Sequence, residues 1–181
     1  QMCIRDRYRI SDNKEESARI ARNFILGKVY NSRWILERAT RDYAMRLDAD
    51  RLKKKSAFLA QSIGKIRVCE KSDELLGLEG EAASVYFSVF DDLILQQKED
   101  FYFNGRNKRP PLDNVNAMLS FGYSLLAGMC GGALEAVGLD PYVGFFLTDR
   151  PGRMSLALDL MEEFRSVMVD RFVLTLSLIH I

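Results

Sequence analysis

The sequence predicts an all-α domain, a bundle-like packing of five or six helices, and three observations carry that prediction. Apolar residues recur at steps of three and four along most of the chain. Capping residues and Gly/Pro breaks punctuate those stretches. The 181 residues are 48% hydrophobic and 28% charged, which suits one packed core rather than a disordered chain. No internal repeat or low-complexity linker interrupts the pattern.

Asp12 with Glu15 reads as a capping box for a first helix running to about Met45. Ala18, Ala21, Ile25, Val29, Leu36, Ala39 and Tyr43 trace its apolar face, Gly27 is a weak point, and Lys28, Arg33, Arg38 and Arg41 lie on the flanks. A second helix covers Ala49–Arg67, with Leu52, Leu59, Ile63 and Ile66 inward. Lys53-Lys54-Lys55 on it reads as solvated surface, able to add only salt-dependent attraction to phosphate. Glu79 opens a third helix to about Gln97, flanked by Gly77 and Gly80, where the backbone can pack closely. A carboxylate in a first turn is also favoured by the helix dipole alone.

Asp100–Asn107 reads as a loop ending in the basic cluster Arg106-Asn107-Lys108-Arg109, stopped by Pro110-Pro111. Arginine forks match phosphate oxygens, so the cluster can grip a nucleic-acid backbone. Phe101, Tyr102 and Phe103 could stack on unpaired bases, but core packing is the preferred reading. Asp113 caps a long helix to Val137, with Gly138 at its C-terminal end. The last stretch, Gly144–Arg165, begins with two aromatics, turns through Arg150-Pro151-Gly152-Arg153, and enters a helix that Ser155 can cap. There Ala157, Leu160, Met161, Phe164 and Met168 form one apolar stripe, while Asp159, Glu162, Glu163 and Ser166 share another face. Asp159 and Glu162 stand one turn apart. Two carboxylates that close repel unless a cation sits between them or water screens them, and an arginine-bearing turn can hold a phosphate beside such a cation. The plain alternative is the wet side of an amphipathic helix.

The net charge of +1 hides an asymmetry: residues 1–71 hold 18 Lys/Arg against 9 Asp/Glu, and residues 72–181 hold 8 against 16. A basic half beside an acidic half suits a protein that holds phosphates with one part and cations with another, and equally one whose halves attract each other. Cys3, Cys69 and Cys130 show neither a disulfide framework nor zinc-site spacing, so a reducing cytoplasm is the expected compartment. No secretory signal is visible. Asn114–Leu134 carries no charge and is long enough to span a bilayer. Its two asparagines, two serines and four glycines favour a buried core helix, and no membrane span is expected.

The ends read differently from the rest. Residues 1–7 (QMCIRDR) and 176–181 (LSLIHI) back-translate to strings that are largely reverse complements and resemble a sequencing-library adapter. The expectation is that both tails are adapter-derived and that residues 8–175 are the helical domain. The one histidine, His180, then carries no chemistry.

Three stretches, Leu75–Phe90, Arg106–Leu126 and Gly144–Arg165, resemble in order the helical domain of the CRISPR-associated endonuclease/integrase family of spacer acquisition. The resemblance implies the C-terminal catalytic-type domain of a metal-dependent nuclease and transesterase, without the family's β-rich N-terminal domain, which mediates dimerisation. It implies Mg²⁺ or Mn²⁺, with Glu79, Asp159 and Glu162 as catalytic and metal-binding acids. The family's ligand histidine falls on Leu147, which has no lone pair to give, so metal binding and catalysis are expected to be weak in this copy. The lysine-asparagine-arginine pattern of the first helix puts Lys28 and Arg33 near DNA, with Arg106, Lys108, Arg109, Arg150 and Arg153 as further phosphate contacts. The implied partners are double-stranded DNA with 3′ ends, a second copy in a homodimer, and a small ferredoxin-like Cas partner protein. The competing reading is a non-catalytic helical module that binds DNA or protein through the same arginines and Lys108. Convergence of the Glu79, Asp159 and Glu162 carboxylates on one point separates the two.

Overall fold

Ala18, Ala21, Ile25, Val29 and Leu36 make the first helix, α1 (Lys14–Asp42), the axis of the domain, and all five are buried. Its cap is Asn13, whose side-chain oxygen accepts from the amides of Glu15 and Glu16 at 3.0 and 3.3 Å, rather than Asp12, which belongs to the preceding helical turn. The computed structural model describes residues 9–146 and 152–178. The tail 1–7, Leu147, Arg150 and His180 lie outside those residues.

Among the described residues every regular element is helical. After α1 come α2 (Ala49–Val68), α3 (Ser72–Phe87), a short 3₁₀ turn (Asp91–Leu93), α4 (Asn114–Ala136), α5 (Ser155–Phe164), a π-helical turn (Arg165–Asp170) and α6 (Arg171–Leu176). α1 packs against α2, α3, α5 and the π turn, and α4 closes over α5 and the π turn. Ile25, Leu36, Leu52, Leu59, Ile66, Leu75, Phe90, Ile94 and Leu119 form the centre of one core. Phe103 belongs to it, stacked on Phe87 at 5.7 Å, so packing is its role, while Tyr102 is exposed.

Three expectations change. α3 starts at Ser72 and ends at Phe87, which puts Glu79 in mid-helix, where the dipole of a first turn does not act. Leu75, Ala82 and Tyr86 carry a buried stripe past Gly77 and Gly80, which are exposed with nothing within 4 Å of where a Cβ would stand, so no close backbone packing occurs there. Ser155 is the first residue of α5 rather than its side-chain cap; the Pro141 carbonyl accepts from the Leu156 amide at 2.9 Å and the Ala157 amide at 3.3 Å. The faces of α5 also differ from the expected ones, although Ala157 and Met161 of the apolar stripe are buried as expected. Asp159 is fully buried, and Glu162 and Ser166 are buried, whereas Phe164 and Met168 are 37% and 46% exposed. The acid-bearing face is thus not the wet side of an amphipathic helix.

α4 is long and apolar enough to cross a membrane by length and composition. One face, with Leu119, Tyr123, Leu126 and Cys130, is packed inside the domain; the other exposes Phe121, Leu125 and Met129. Asp113 caps it by accepting from the Asn116 amide, and Gly138 follows its end with a positive φ of 74°.

Candidate active site

Three helices deliver the central charges. Lys28 projects from α1, Glu79 from α3 and Glu162 from α5, and the Lys28 ammonium contacts both carboxylates. It is hydrogen-bonded to Glu79 Oε1 and lies 2.6 Å from Glu162 Oε2. Glu162 Oε2 is buried, and the Lys28 ammonium is the charge it faces. Glu162 Oε1 accepts from Arg165 Nη1 at 2.7 Å. Burial pushes the Glu162 carboxyl up, but Lys28 and Arg165 outweigh it and hold its pKa below the ordinary glutamate value.

Arg165 is placed by what lies behind it. Its guanidinium carbon lies 4.1 Å from the centre of the Tyr123 ring, and Arg106 lies over the same ring at 5.4 Å. The Tyr123 hydroxyl donates to Asp170 Oδ1, and Tyr86 donates to Asp170 Oδ2 at 3.1 Å. Burial raises the pKa of Asp170 against the opposing effects of Tyr123 and Arg165, and burial and Asp170 raise both tyrosines well above their ordinary range. The π turn brings Arg165, Ser166 and Asp170 to one cavity of about 560 Å³, shared with Lys28, Glu79, Tyr86 and Tyr123. Ser166 ties this turn to α1 through Ser32, Oγ to Oγ 2.8 Å.

The basic residues divide. Lys28, Glu79, Glu162 and Arg165 line an adjoining groove of about 480 Å³ together with Arg106, Lys108, Arg109 and Arg153. Lys108 and Arg109 are exposed on it. Arg106 is largely committed to the protein, donating to Asn116 Oδ1 at 2.7 Å and Ser120 Oγ at 3.2 Å. Arg33 turns the other way, to Glu37 at 3.2 Å and Ser56 at 3.1 Å, and does not line the groove.

Asp159 stands apart from the Glu79–Glu162 pair. Its Oδ2 accepts from the Phe145 and Phe146 amides at 2.7 and 3.0 Å, which pins the backbone immediately before residue 147. Gly144 makes that approach possible: a Cβ there would lie 2.6 Å from Ser155 Cβ, 2.9 Å from the Ser155 carbonyl carbon and 3.0 Å from Asp159 Oδ2. Among the described residues no three of His, Cys, Asp and Glu gather around one point. The two glutamates sharing one cation nevertheless fit a hard divalent ion, because Mg²⁺ is commonly held by one or two carboxylates with water and substrate phosphate completing the shell.

Sequence reasoning missed Arg165, Tyr123, Asp170 and Asn116. Asn116 is fully buried and holds the basic loop, accepting from the Asn107 amide at 3.1 Å and donating to the Gly105 carbonyl at 2.8 Å and Asp113 Oδ2 at 2.7 Å. Its signal was available: a lone polar residue on the inward face of a helix, three positions after the cap.

Fold and site together define an all-helical domain with an acid–lysine centre beside a basic groove. Residues 2–178 match the family model described as CRISPR associated protein Cas1, and the chain belongs to that family. It is 48% identical over 172 residues to CRISPR-associated endonuclease Cas1 1 of Chlorobaculum tepidum, covering 95% of this chain and 50% of that protein. The chain thus spans about half the length of the curated relatives it matches. A casposase bound to an integration product is 32% identical with a TM-score of 0.76, over 94% of this chain and 45% of that one. A partial Cas6-RT-Cas1–Cas2 complex gives a TM-score of 0.81 at 26% identity, over 94% of this chain and 48% of that one.

Proposed function

We propose that the chain is the metal-dependent endonuclease/integrase domain of CRISPR spacer acquisition, which joins the 3′-OH ends of short duplex DNA to repeat DNA. The observation that carries this reading is the meeting of Glu79 and Glu162, far apart in the chain, on one cation in a groove lined by Arg106, Lys108, Arg109 and Arg153. Family membership supports it, as do a neighbour described as bound to an integration product and another described as a Cas1–Cas2 assembly.

In this reading Glu79 and Glu162 hold Mg²⁺ or Mn²⁺, which when bound supplies charge relief on the phosphate and lowers the pKa of a coordinated oxygen. Arg165 fixes one oxygen of Glu162 and so orients the carboxylate that would hold the ion. Lys108, Arg109 and Arg153, with Arg150, clamp the flanking phosphates so that the attacking 3′ oxygen and the leaving 3′ oxygen lie in line across phosphorus. One P–O bond forms and one breaks, and the displaced strand keeps its own 3′-OH. Asp159 fixes the Phe145–Phe146 backbone, which in the sequence immediately precedes residue 147. With leucine there a ligand is missing, so turnover is slow in this copy. The working assembly joins two copies and a small ferredoxin-like Cas partner on duplex DNA, in the cytoplasm.

The test is Mn²⁺-dependent cleavage and joining of branched DNA by the parent chain, Glu79→Gln, Glu162→Gln and Leu147→His. Activity that rises with Leu147→His and disappears with either glutamate change supports the reading. No Mn²⁺-dependent cleavage or joining by any of the four, with DNA binding intact, would establish the competing non-catalytic binding module.

A further inference from the structure

We infer that Lys28 is a built-in counter-ion standing where the divalent cation binds, and that the metal enters by displacing its ammonium. The inference rests on the metal reading of Glu79 and Glu162 and adds to it a competitor supplied by the chain itself. The Lys28 side chain is 13% exposed, and those of Glu79 and Glu162 are 16% and 11% exposed, so all three charges are largely withdrawn from water. Two carboxylates facing each other there would repel strongly without a cation. Lys28 provides it from α1, which packs against both α3 and α5, the helices that carry the two acids.

Two details separate this arrangement from an ordinary structural ion pair. One ammonium serves two acids from two different helices, as a divalent ion would. Glu162 Oε2 is buried and faces the Lys28 ammonium at 2.6 Å, so an ion that replaces the ammonium breaks no other hydrogen bond at this oxygen. An ammonium is a flexible point charge on four methylenes. It can leave the acids without moving the backbone, toward the groove that it lines with Lys108, Arg109 and Arg153.

The experiment compares Mn²⁺ binding by the 181-residue chain and its Lys28→Met, Lys28→Arg and Glu79→Gln variants, using calorimetric titration and the signal of free Mn²⁺ in electron paramagnetic resonance. Thermal midpoints are read with and without the ion. Displacement predicts that Lys28→Met binds Mn²⁺ more tightly by about tenfold or more, the factor into which measured couplings of close charge pairs convert. It also predicts a lower metal-free midpoint for Lys28→Met and a larger upward shift on adding Mn²⁺ than in the parent. Lys28→Arg, which keeps the charge, should show no gain in affinity. Equal or weaker Mn²⁺ binding by Lys28→Met, with Glu79→Gln still abolishing binding, overturns the displacement and leaves the metal reading standing. Mn²⁺ binding that survives Glu79→Gln, or no binding by any variant, removes the metal reading and this inference with it.

Discussion

Arg165 rests on the face of Tyr123, its guanidinium carbon 4.1 Å from the ring centre, while its Nη1 holds Glu162. The ring therefore supports the arm that orients a candidate ligand. Tyr123→Phe keeps the face but takes the hydroxyl from Asp170, and should destabilise the fold by about 1–3 kcal/mol. Tyr123→Leu removes the face as well, and its Mn²⁺-dependent cleavage should fall below that of the Phe variant. Denaturant unfolding and cleavage rates measured on both variants check this; equal rates would show that the ring does not position Arg165.

Glu162 carries an acid-sensitive share of stability. Its folded pKa lies below the ordinary carboxylate value because Lys28 and Arg165 outweigh burial. Below about pH 4.3 the unfolded chain therefore takes up more proton at this group than the folded one. The margin of the parent over Glu162→Gln, about 3 kcal/mol for a broken buried pair, should be complete above that pH. It should shrink as pH falls through the lowered value. Urea unfolding of both proteins from pH 7 to pH 3.5 measures it, and a constant margin would refute the ion-pair account.

Asn116 organises the basic loop from beneath. Asn116→Ala leaves the Gly105 carbonyl, the Asn107 amide and Arg106 short of a partner, at a cost of about 2–4 kcal/mol. It should also weaken binding of short duplex DNA more than Lys108→Ala does, since one change disorders the cluster and the other removes a single charge. Fluorescence anisotropy at fixed salt compares them. Undiminished affinity in Asn116→Ala would mean that the loop does not depend on this anchor.

Gly144 has no room for a methyl group, because the nearest obstruction includes backbone of Ser155. Gly144→Ala should lower the melting midpoint by an amount corresponding to about 1–3 kcal/mol of overpacking. Because Asp159 is pressed too, the variant should lose cleavage activity even at temperatures where it remains folded. A variant as stable and active as the parent would show that the turn before residue 147 is not constrained.

Periodicity predicted α2 to within a residue because its stripe of Leu52, Leu59 and Ile66 faces the core and nothing on it competes. It misread α5 for a physical reason: Asp159 and Glu162 find amides and cations inside the domain, so burial goes to acids and leaves Phe164 and Met168 in solvent. Local rules placed a cap at Ser155, whereas the amides there are satisfied by the distant Pro141 carbonyl. The convergence of Glu79 with Glu162 came from resemblance, since nothing in local spacing brings α3 to α5. Tyr123 and Asp170 were invisible because a tyrosine in an apolar helix and an acid at a π turn carry no motif; only packing joins them.

The inner group of Lys28, Glu79, Glu162 and Arg165 holds two positive and two negative charges and so is electrically silent as a whole. An approaching duplex then senses mainly the outer cations Lys108, Arg109 and Arg153. Once a divalent ion takes the lysine's place, the same recess carries one net positive charge and the freed ammonium beside it another, a gain of two elementary charges in all. Ion and duplex would then each ease the other's arrival, and the steepness with which salt weakens DNA binding should be greater with Mn²⁺ present than without it.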